Sequence, residues 1–579
     1  MASSVTAPTD ATTPVPMSRR KVLEALSGLL LGMFVSMLAA TVVSTSLPVI
    51  VHDLDGDQTV FTWVVTATLL TTAISTPIWG KLADLFDRKL LIQLALGLFV
   101  LATAAAGFSQ DPGTLIAFRA VQGLGAGGLA ALSQVLMADI ISPRERGRYM
   151  GLFGAVMALA TVGGPLLGGF ITDGIGWRWN FFVAIPFAIA AFVILQRTLH
   201  VPRIRRGKVS IDYLGIVLLS TAVSLLLVWI TNAGKNYDWW SVETALMVGG
   251  VVVATALFIV VELRSREPLI PLSLFRNRTF TLSVVASIAT GLAMFGAAVF
   301  LGQYMQMSRG ATPAEAGILT IPMMGGLLVT SILIGQLISR FGHWKPYMIG
   351  GALSLIAGSV LLSTLHYDTP YPLVALYMFL LGAGVGATMQ NLVLVVQNTA
   401  NPEEMGAASS GVTFFRSLGG TIGVSVMGAA LAASVTDGFV RYRDAIGAAL
   451  APLGEQGLAV AAQLKSGTLP AVHTLPDGVR VIVEDIYAQG IAHSFLYAVP
   501  LAVVSLIAIL FLPNRPLTRM TTTERLAAGE ADLAMFTASE GMESIPASGK
   551  ASVASADIVE STGTAPTTAP SEAKGTGER

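Results

Sequence analysis

The side chains able to do chemistry in this sequence are a few charged and amide groups set in or beside long apolar runs. The densest group is Gly80-Lys81-Leu82-Ala83-Asp84-Leu85-Phe86-Asp87-Arg88-Lys89, a short polar turn between two such runs. Glycine lets two helices approach closely, and an aspartate beside a helix N-terminus with bases nearby makes a charge–dipole latch worth about 1 kcal/mol or more when partly buried. Gly80, Lys81, Asp84, Arg88 and Lys89 are therefore candidates for a gate that biases one of two conformations. Arg119, with Gln122 and Gly123 one turn on, lies inside an apolar run. An arginine there costs roughly 2.5–3.5 kcal/mol on insertion scales, so it must face a wet cavity or a partner. Arg416, the pair Gln390-Asn391, and Gln303-Tyr304 are further polar groups within apolar runs, and Met389 and Phe415 offer adaptable apolar contact. They are the groups available to line a cavity.

Catalysis is not legible. There is no His-Glu-x-x-His, no Gly-x-x-x-x-Gly-Lys-Ser/Thr, and the six histidines are scattered through loops and run edges. With no cysteine there is no disulfide framework, thiolate nucleophile, iron–sulfur cluster or cysteine-based zinc site. The expectation is a non-enzyme with no metal and no cofactor. Without a nucleotide site, energy must come from an ion or substrate gradient, about 2.3 kcal/mol per charge for each 100 mV. A proton carrier would need a titratable group with two alternating exposures. Glu24, Asp139, Asp173, Glu243, Glu262 and Glu315 lie near the ends of apolar runs, where a solvated cap is the ordinary role.

The elements that must hold these groups are membrane spans. The 579 residues are 53% hydrophobic and 12% charged, against about a quarter charged in soluble chains, and the mean hydropathy is +0.69. Lysine plus arginine and aspartate plus glutamate number 35 each, which points to no nucleic-acid partner. Apolar stretches of roughly 17–25 residues, each long enough to cross lipid, recur over 26–512. Fourteen are countable. Alternate loops hold Arg19/Arg20/Lys21, Lys81/Arg88/Lys89, Arg144/Arg146/Arg148, Arg197/Arg203/Arg205/Arg206/Lys208, Arg264/Arg266/Arg276/Arg278 and Arg340/Lys345, whereas the loops between hold only Arg178, Lys235 and Arg309. This asymmetry predicts a multi-pass protein of the plasma (inner) membrane with both termini cytoplasmic. The loop 397–406, acidic and without a base, is silent. The first run reads as an uncleaved helix rather than a secretory signal. A long external loop, 434–490, has apolar periodicity that predicts short helices on the outer surface, and 513–579, rich in Ser, Thr, Ala, Gly and Glu, reads as a disordered tail.

The turn at 80–89 resembles the signature loop of the major facilitator superfamily. A degenerate copy, Gly335 to Lys345, has Ser339 where Asp84 stands, so the latch is expected on the first half. Arg119-Ala120-Val121-Gln122-Gly123 resembles that family's Arg-x-x-Gln-Gly motif. The same stretch satisfies Gly-x-Gly-x-x-Gly, but no strand precedes it, and small-residue helix packing accounts for the glycines. Gly163-Gly164-Pro165-Leu166-Leu167-Gly168-Gly169 is similar to the motif of the superfamily's drug antiporters. Trp177-Arg178-Trp179-Asn180-Phe181-Phe182 followed by Pro186 resembles the fourteen-helix drug:proton antiporters. The resemblance implies an all-α integral membrane protein of fourteen transmembrane helices: a cytoplasmic tail 1–21, a six-helix half 22–196, a linker and two inserted helices 197–263, and a second, pseudo-symmetric six-helix half 264–512. It implies a probable-monomer exporter of amphipathic compounds or drugs, exchanging them for protons by alternating access, with membrane lipid as its surroundings. One departure bears on coupling. Where such antiporters carry Leu-Asp-x-Thr in the first span, this chain has Leu38-Ala39-Ala40-Thr41, which keeps open a second reading: an exporter or facilitator of one endogenous metabolite, lipid or siderophore without strict proton coupling.

Overall fold

A computed structural model of the chain describes residues 19–55, 58–199, 210–233, 237–311, 313–465, 472, 475–522, 524 and 525. The regular elements of these residues are helices: α1 (Arg19–Asp53), α2 (Gln58–Leu85), α3 (Arg88–Gly107), α4 (Pro112–Ile140), α5 (Pro143–Gly174), α6 (Trp179–Phe182), α7 (Ala184–Thr198), α8 (Tyr213–Asn232), α9 (Val242–Arg264), α10 (Arg278–Met307), α11 (Pro313–Leu319), α12 (Ile321–Phe341), α13 (Lys345–Leu362), α14 (Tyr371–Thr399), α15 (Met405–Arg441), α16 (Arg443–Leu450), α17 (Gly454–Lys465) and α18 (Asp477–Phe511), with short 3-10 turns between some of them. Twelve spans among the described residues are long and apolar enough to cross a membrane. Helices α2 and α5, of 28 and 32 residues, pack in the same bundle, α2 against α4 and α5 against α1 and α12.

Short polar side chains set where helices start. Asp87 accepts from the amides of Lys89 and Leu90 at α3, and Ser241 from Thr244 at α9. Asp111 caps α4 through the Thr114 amide, a bond that holds this exposed carboxyl below the usual carboxylate range. The sixth and tenth apolar runs are each divided, into α6/α7 and α11/α12. Pro186 and Pro322 lack the N–H that would continue the ladder there.

The interior is built in separate clusters. Leu26, Leu29, Phe99, Leu132, Phe153 and Leu195 belong to one cluster, drawn from α1, α3, α4, α5 and α7. Another joins α10, α12, α13, α14, α15 and α18 through residues such as Phe300, Leu327, Leu355, Met378, Leu431 and Phe495. A third joins the pair α8/α9 to both: Leu219, Val223 and Phe258 pack with Ile74 of α2 and Phe414 of α15. Thus the inserted pair covers the seam between α2 and α15.

Two expectations are corrected. The stretch 434–490 is largely helical, because α15 runs on to Arg441, α18 begins at Asp477, and α16 and α17 fill much of the gap. Leu450, Val472, Leu475, Val479 and Tyr487 close a small core there, with Met307 of α10 packed against it. The expected tail is bound at its start. Lys345 Nζ donates to the Leu512 carbonyl at 2.8 Å and Trp344 Nε1 to that of Arg515 at 2.9 Å. Asn398 Oδ1 then accepts from the Thr518 amide at 2.9 Å, and Thr522 Oγ1 donates to the Ala138 carbonyl at 3.0 Å. The Arg144 amide also donates to Thr518. Residues 513–525 therefore clasp α4 and α5 to α13 and α14, while the rest of the expected tail lies outside the described residues. The end of the bundle they cross carries the basic loops and is called the basic end below.

Removing residues 516–579 should leave the protein folded and raise the labelling rate of an Ala138→Cys variant by a hydrophilic maleimide, read against a chain that has no native cysteine. An unchanged rate would mean the clasp does not hold the basic end shut.

Candidate functional site

At the basic end the last turn of α2 meets the first turn of α15. The unsatisfied amides of a helix N-terminus carry partial positive charge. Here the Gly406 amide donates to Asp84 Oδ1 at 2.7 Å and the Ala407 amide to Asp84 Oδ2 at 2.9 Å. Both carboxylate oxygens are thus held by the far half of the bundle. Contact this close requires glycine on each side. A Cβ at Gly80 would stand 2.8 Å from the Gly406 carbonyl oxygen and overlap Ser410, and a Cβ at Gly406 would stand 2.7 Å from Asp84 Oδ1.

Behind Asp84 lies Arg88, whose guanidinium is 3.6 Å from Asp84 Oδ1 and 2.5 Å from Asp139 Oδ1, and which also donates to the Ala83 carbonyl at 2.8 Å. Asp84, Arg88, Asp139 and Arg146 are all buried. Asp139 is therefore not a solvated cap, because its run ends inside this ion network. Glu262 is buried too, since its Oε1 accepts from the amides of Leu269 and Ile270 in the connector after α9. Glu243 and Glu315 are exposed, and Glu24 is partly buried and paired with Arg20; the side chain of Asp173 lies outside the described residues.

The other two bases of the motif point away from Asp84. Lys81 Nζ donates to Glu267 Oε2 at 2.8 Å, tying α2 to the same connector, and Lys89 Nζ to the Gln196 carbonyl at 2.7 Å in α7. In the degenerate copy, Trp344 and Lys345 bind the C-terminal segment instead.

Deeper in the bundle, Arg119 is 4% exposed. Its Nη1 donates to Gln122 Oε1 at 2.7 Å, and Gln122 Nε2 to Thr103 Oγ1 at 2.8 Å. A side chain that buried is not snorkelling at the outer edge. Gly123 and Gly127 bring α4 against α2, where a Cβ would meet the carbonyl oxygens of Thr68 and Thr72 at 2.5 and 2.6 Å, while Gly125 and Gly128 face α3. The glycines of this stretch are packing surfaces, and they serve two neighbours at once.

The motif of 163–169 divides by face. Gly164 and Gly168 lie against Thr41 and Val42 of α1, while a Cβ at Gly163 or Gly169 would meet nothing within 4 Å. Thr41 Oγ1 donates to the Ala160 carbonyl at 2.9 Å and Ser46 Oγ to that of Gly168 at 3.2 Å, so Ala160, Gly164, Gly168 and Thr172 form one stripe along α1. The Pro165 side chain lies outside the described residues. Trp177 is buried and donates to Asp53, whereas Trp179 is exposed.

The expected cavity residues do not converge. Gln134 Nε2 donates to Gln390 Oε1 at 3.2 Å, and Gln397 Nε2 to the Gln134 carbonyl at 3.2 Å, joining α4 to α14 near the latch. Asn391 is buried beside them on α14 and bonds the Ala387 carbonyl. Gln303 is partly buried. Tyr304 and Met389 lie in the core of α10–α18, with the Tyr304 hydroxyl donating to the His366 carbonyl. Phe415 stacks edge-on with Phe275 and Phe414 beneath α8/α9. Arg416 is 7% exposed and packs against α10 at Gly291. The sequence reading missed Gly406, Ala407, Ser410, Gln134, Gln397 and Glu267. A run of small residues opening a span after an acidic loop, Gly406 to Ser410 following Glu403 and Glu404, was the available signal for the first three.

A helical bundle held shut at one end by a carboxylate–helix contact between its two parts is the architecture of a membrane carrier. Comparison with known proteins agrees. The sequence profile of the Major Facilitator Superfamily matches residues 29–424, and the chain belongs to that superfamily of transporters. It is similar to Multidrug transporter protein MdtP of Bacillus subtilis (strain 168), 36% identical over 465 residues that cover 80% of this chain and 83% of that protein. It is also similar to Tetracenomycin C resistance and export protein of Streptomyces glaucescens, 29% identical over 537 residues, 91% of this chain and 97% of the relative. The fold is that of the proton:xylose symporter XylE, with a TM-score of 0.56 at 15% identity over 88% of this chain and 99% of that structure.

Asp84→Asn replaces one acceptor oxygen with an amide that opposes the Ala407 N–H. About 1–2 kcal/mol of charge–dipole stabilisation should be lost, shifting the closed–open balance roughly tenfold. Spin labels at Phe86→Cys and Glu403→Cys should report a larger open fraction, and an unaltered distance distribution would count against the latch. Overpacking at Gly168→Val should destabilise the fold by about 1–3 kcal/mol, while Gly169→Val costs little. Equal thermal stability of the two variants would contradict the divided motif.

Proposed function

We propose that this protein is a secondary active exporter of amphipathic small molecules, drugs among them, working by alternating access in exchange for protons. The observation that carries the reading is the Asp84 carboxylate held by the Gly406 and Ala407 amides across 322 and 323 residues of chain. A contact of that kind joins two bodies that must separate for the basic end to open. The names of MdtP and of the tetracenomycin exporter support export as the direction and drugs as the substrate class. Under this reading the basic end faces the cytoplasm of the plasma membrane, both termini lie there, and the chain works as a monomer. The bundle crosses fourteen times, with halves 22–196 and 264–512 rocking about the α2–α15 and α5–α12 seams, the pair within 197–263 inserted between them, and 1–21 and 513–579 as cytoplasmic ends. Lys81 and Lys89 brace the gate from its flanks. Arg119, Gln122 and Gly123 form the polar centre of the first half. In the antiporter motif Gly163, Gly164, Pro165, Gly168 and Gly169, Gly164 and Gly168 supply the sliding face toward α1. Gln303, Tyr304, Met389, Gln390, Asn391, Phe415 and Arg416 serve the substrate side of the second half, directly or by positioning.

A second reading, export of one metabolite, lipid or siderophore without strict coupling, draws support from Ala39. It is 1% exposed within the apolar cluster of the first half, so no carboxylate stands at that point of α1.

Vesicles containing the purified protein, loaded with ethidium under an imposed pH gradient, separate the two. Efflux that stops when an ionophore collapses the gradient supports antiport, and efflux indifferent to it supports the second reading. In the same assay Arg119→Ala should abolish transport while the protein remains folded in the membrane. Normal efflux by that variant would remove Arg119 from the mechanism.

A further inference from the structure

Among the described residues, the buried charges do not balance. At the basic end Asp84 and Asp139 stand with Arg88 and Arg146, two acids with two bases. Glu262, at the close of α9, is held by backbone amides of the connector. Two buried bases remain, and no described acid forms an ion pair with either. Arg119, 4% exposed, donates to the neutral Gln122, and its Nε has no acceptor among the described residues. Arg416, 7% exposed, has no hydrogen-bond partner among the described residues, and its Nη1 is fully enclosed. Arg416 sits nine residues beyond Ala407 on α15, about 14 Å from the latch by helical rise. Gly291 of α10 makes room for its stem, since a Cβ there would stand 2.9 Å from Arg416 Cγ. On the following turns, Ile288, Leu292 and Phe295 of α10 pack on Gly419, Gly423 and Gly420. A cation in such apolar surroundings is costly without a counter-charge.

We propose that Arg416 recognises an anionic group, so that the substrates are amphipathic anions: an apolar body bearing a carboxylate, sulfonate or phosphate. The inference rests on the exporter reading. A guanidinium offers a planar donor fork that matches those oxyanions and keeps its charge throughout the cycle. The anion supplies the counter-charge that the fold omits.

The test uses the full-length purified protein, with fluorescein as the anionic probe, its uncharged ester as a shape control, and ethidium as the cation. Polarisation titrations should show fluorescein bound at least about tenfold tighter than ester or ethidium. Arg416→Gln should remove that preference and Arg416→Lys should keep part of it. A wild-type protein that binds ester and anion alike overturns the proposal even if the Arg416 variants fail to fold. Displacement of fluorescein by physiological chloride would assign Arg416 to an inorganic anion and also overturn it. Vesicle transport distinguishes the underlying reading. Ethidium carried and fluorescein ignored refutes the anion class but leaves export standing, whereas fluorescein bound and neither dye carried supports recognition but refutes export.

Discussion

Everything at the basic end depends on one carboxylate being held by two backbone amides that belong to another part of the chain. Asp84 has both oxygens occupied by the first turn of α15, and Arg88 behind it is shared with Asp139. A side chain buried this deeply cannot stay charged without partners, so its bonds and the approach of α2 to α15 stand or fall together. Around this contact the structure adds neutral links, Gln134 to Gln390 and Gln397 to Gln134. The C-terminal segment lies across the same end. Under the proposed alternating cycle each of these links would have to form and break.

Small residues make those approaches possible. The glycines of α4 face two neighbours, those of α5 face α1 on one side only, and Gly80 and Gly406 face each other. In lipid the hydrophobic effect does not drive helices together, so close backbone contact and interhelical hydrogen bonds carry the association. The hydroxyls of Thr41, Ser46, Thr68 and Thr72 reach carbonyls on adjacent helices along these stripes. Contacts of this sort carry little side-chain interdigitation, which suits surfaces that slide.

Much of this was legible in the residues because hydropathy and glycine spacing are local properties. The apolar runs fall in helices, the sixth and tenth divided between two each, and the turn at 80–89 reads as a latch from its own composition. What a sequence does not disclose is depth and partner. Asp139 and Glu262 look like caps because they lie near run ends, yet α3 and the connector after α9 enclose them. Phe415 looks like a ligand contact until α8 and α9 are seen covering it. The long loop after α15 reads as short helices lying on the outer surface, whereas its apolar residues find Met307 and Tyr487 and close a core. Each of these depends on contacts far apart in the chain.

The separation between Asp84 and its amide partners also has a meaning for how the protein is made. Their 322 residues correspond to about 15 to 65 s of translation at roughly 5–20 residues per second. Through that interval the first helices must persist in the membrane with Asp84 lacking its partners on α15. They can do so because their apolar cluster is complete without later segments, and because Arg88 supplies a provisional counter-charge from within the same part of the chain. The residues that clasp the basic end, 513–525, emerge after every helix of the bundle. A chain truncated before α15 would therefore keep α1–α14 with Asp84 still lacking its amide partners.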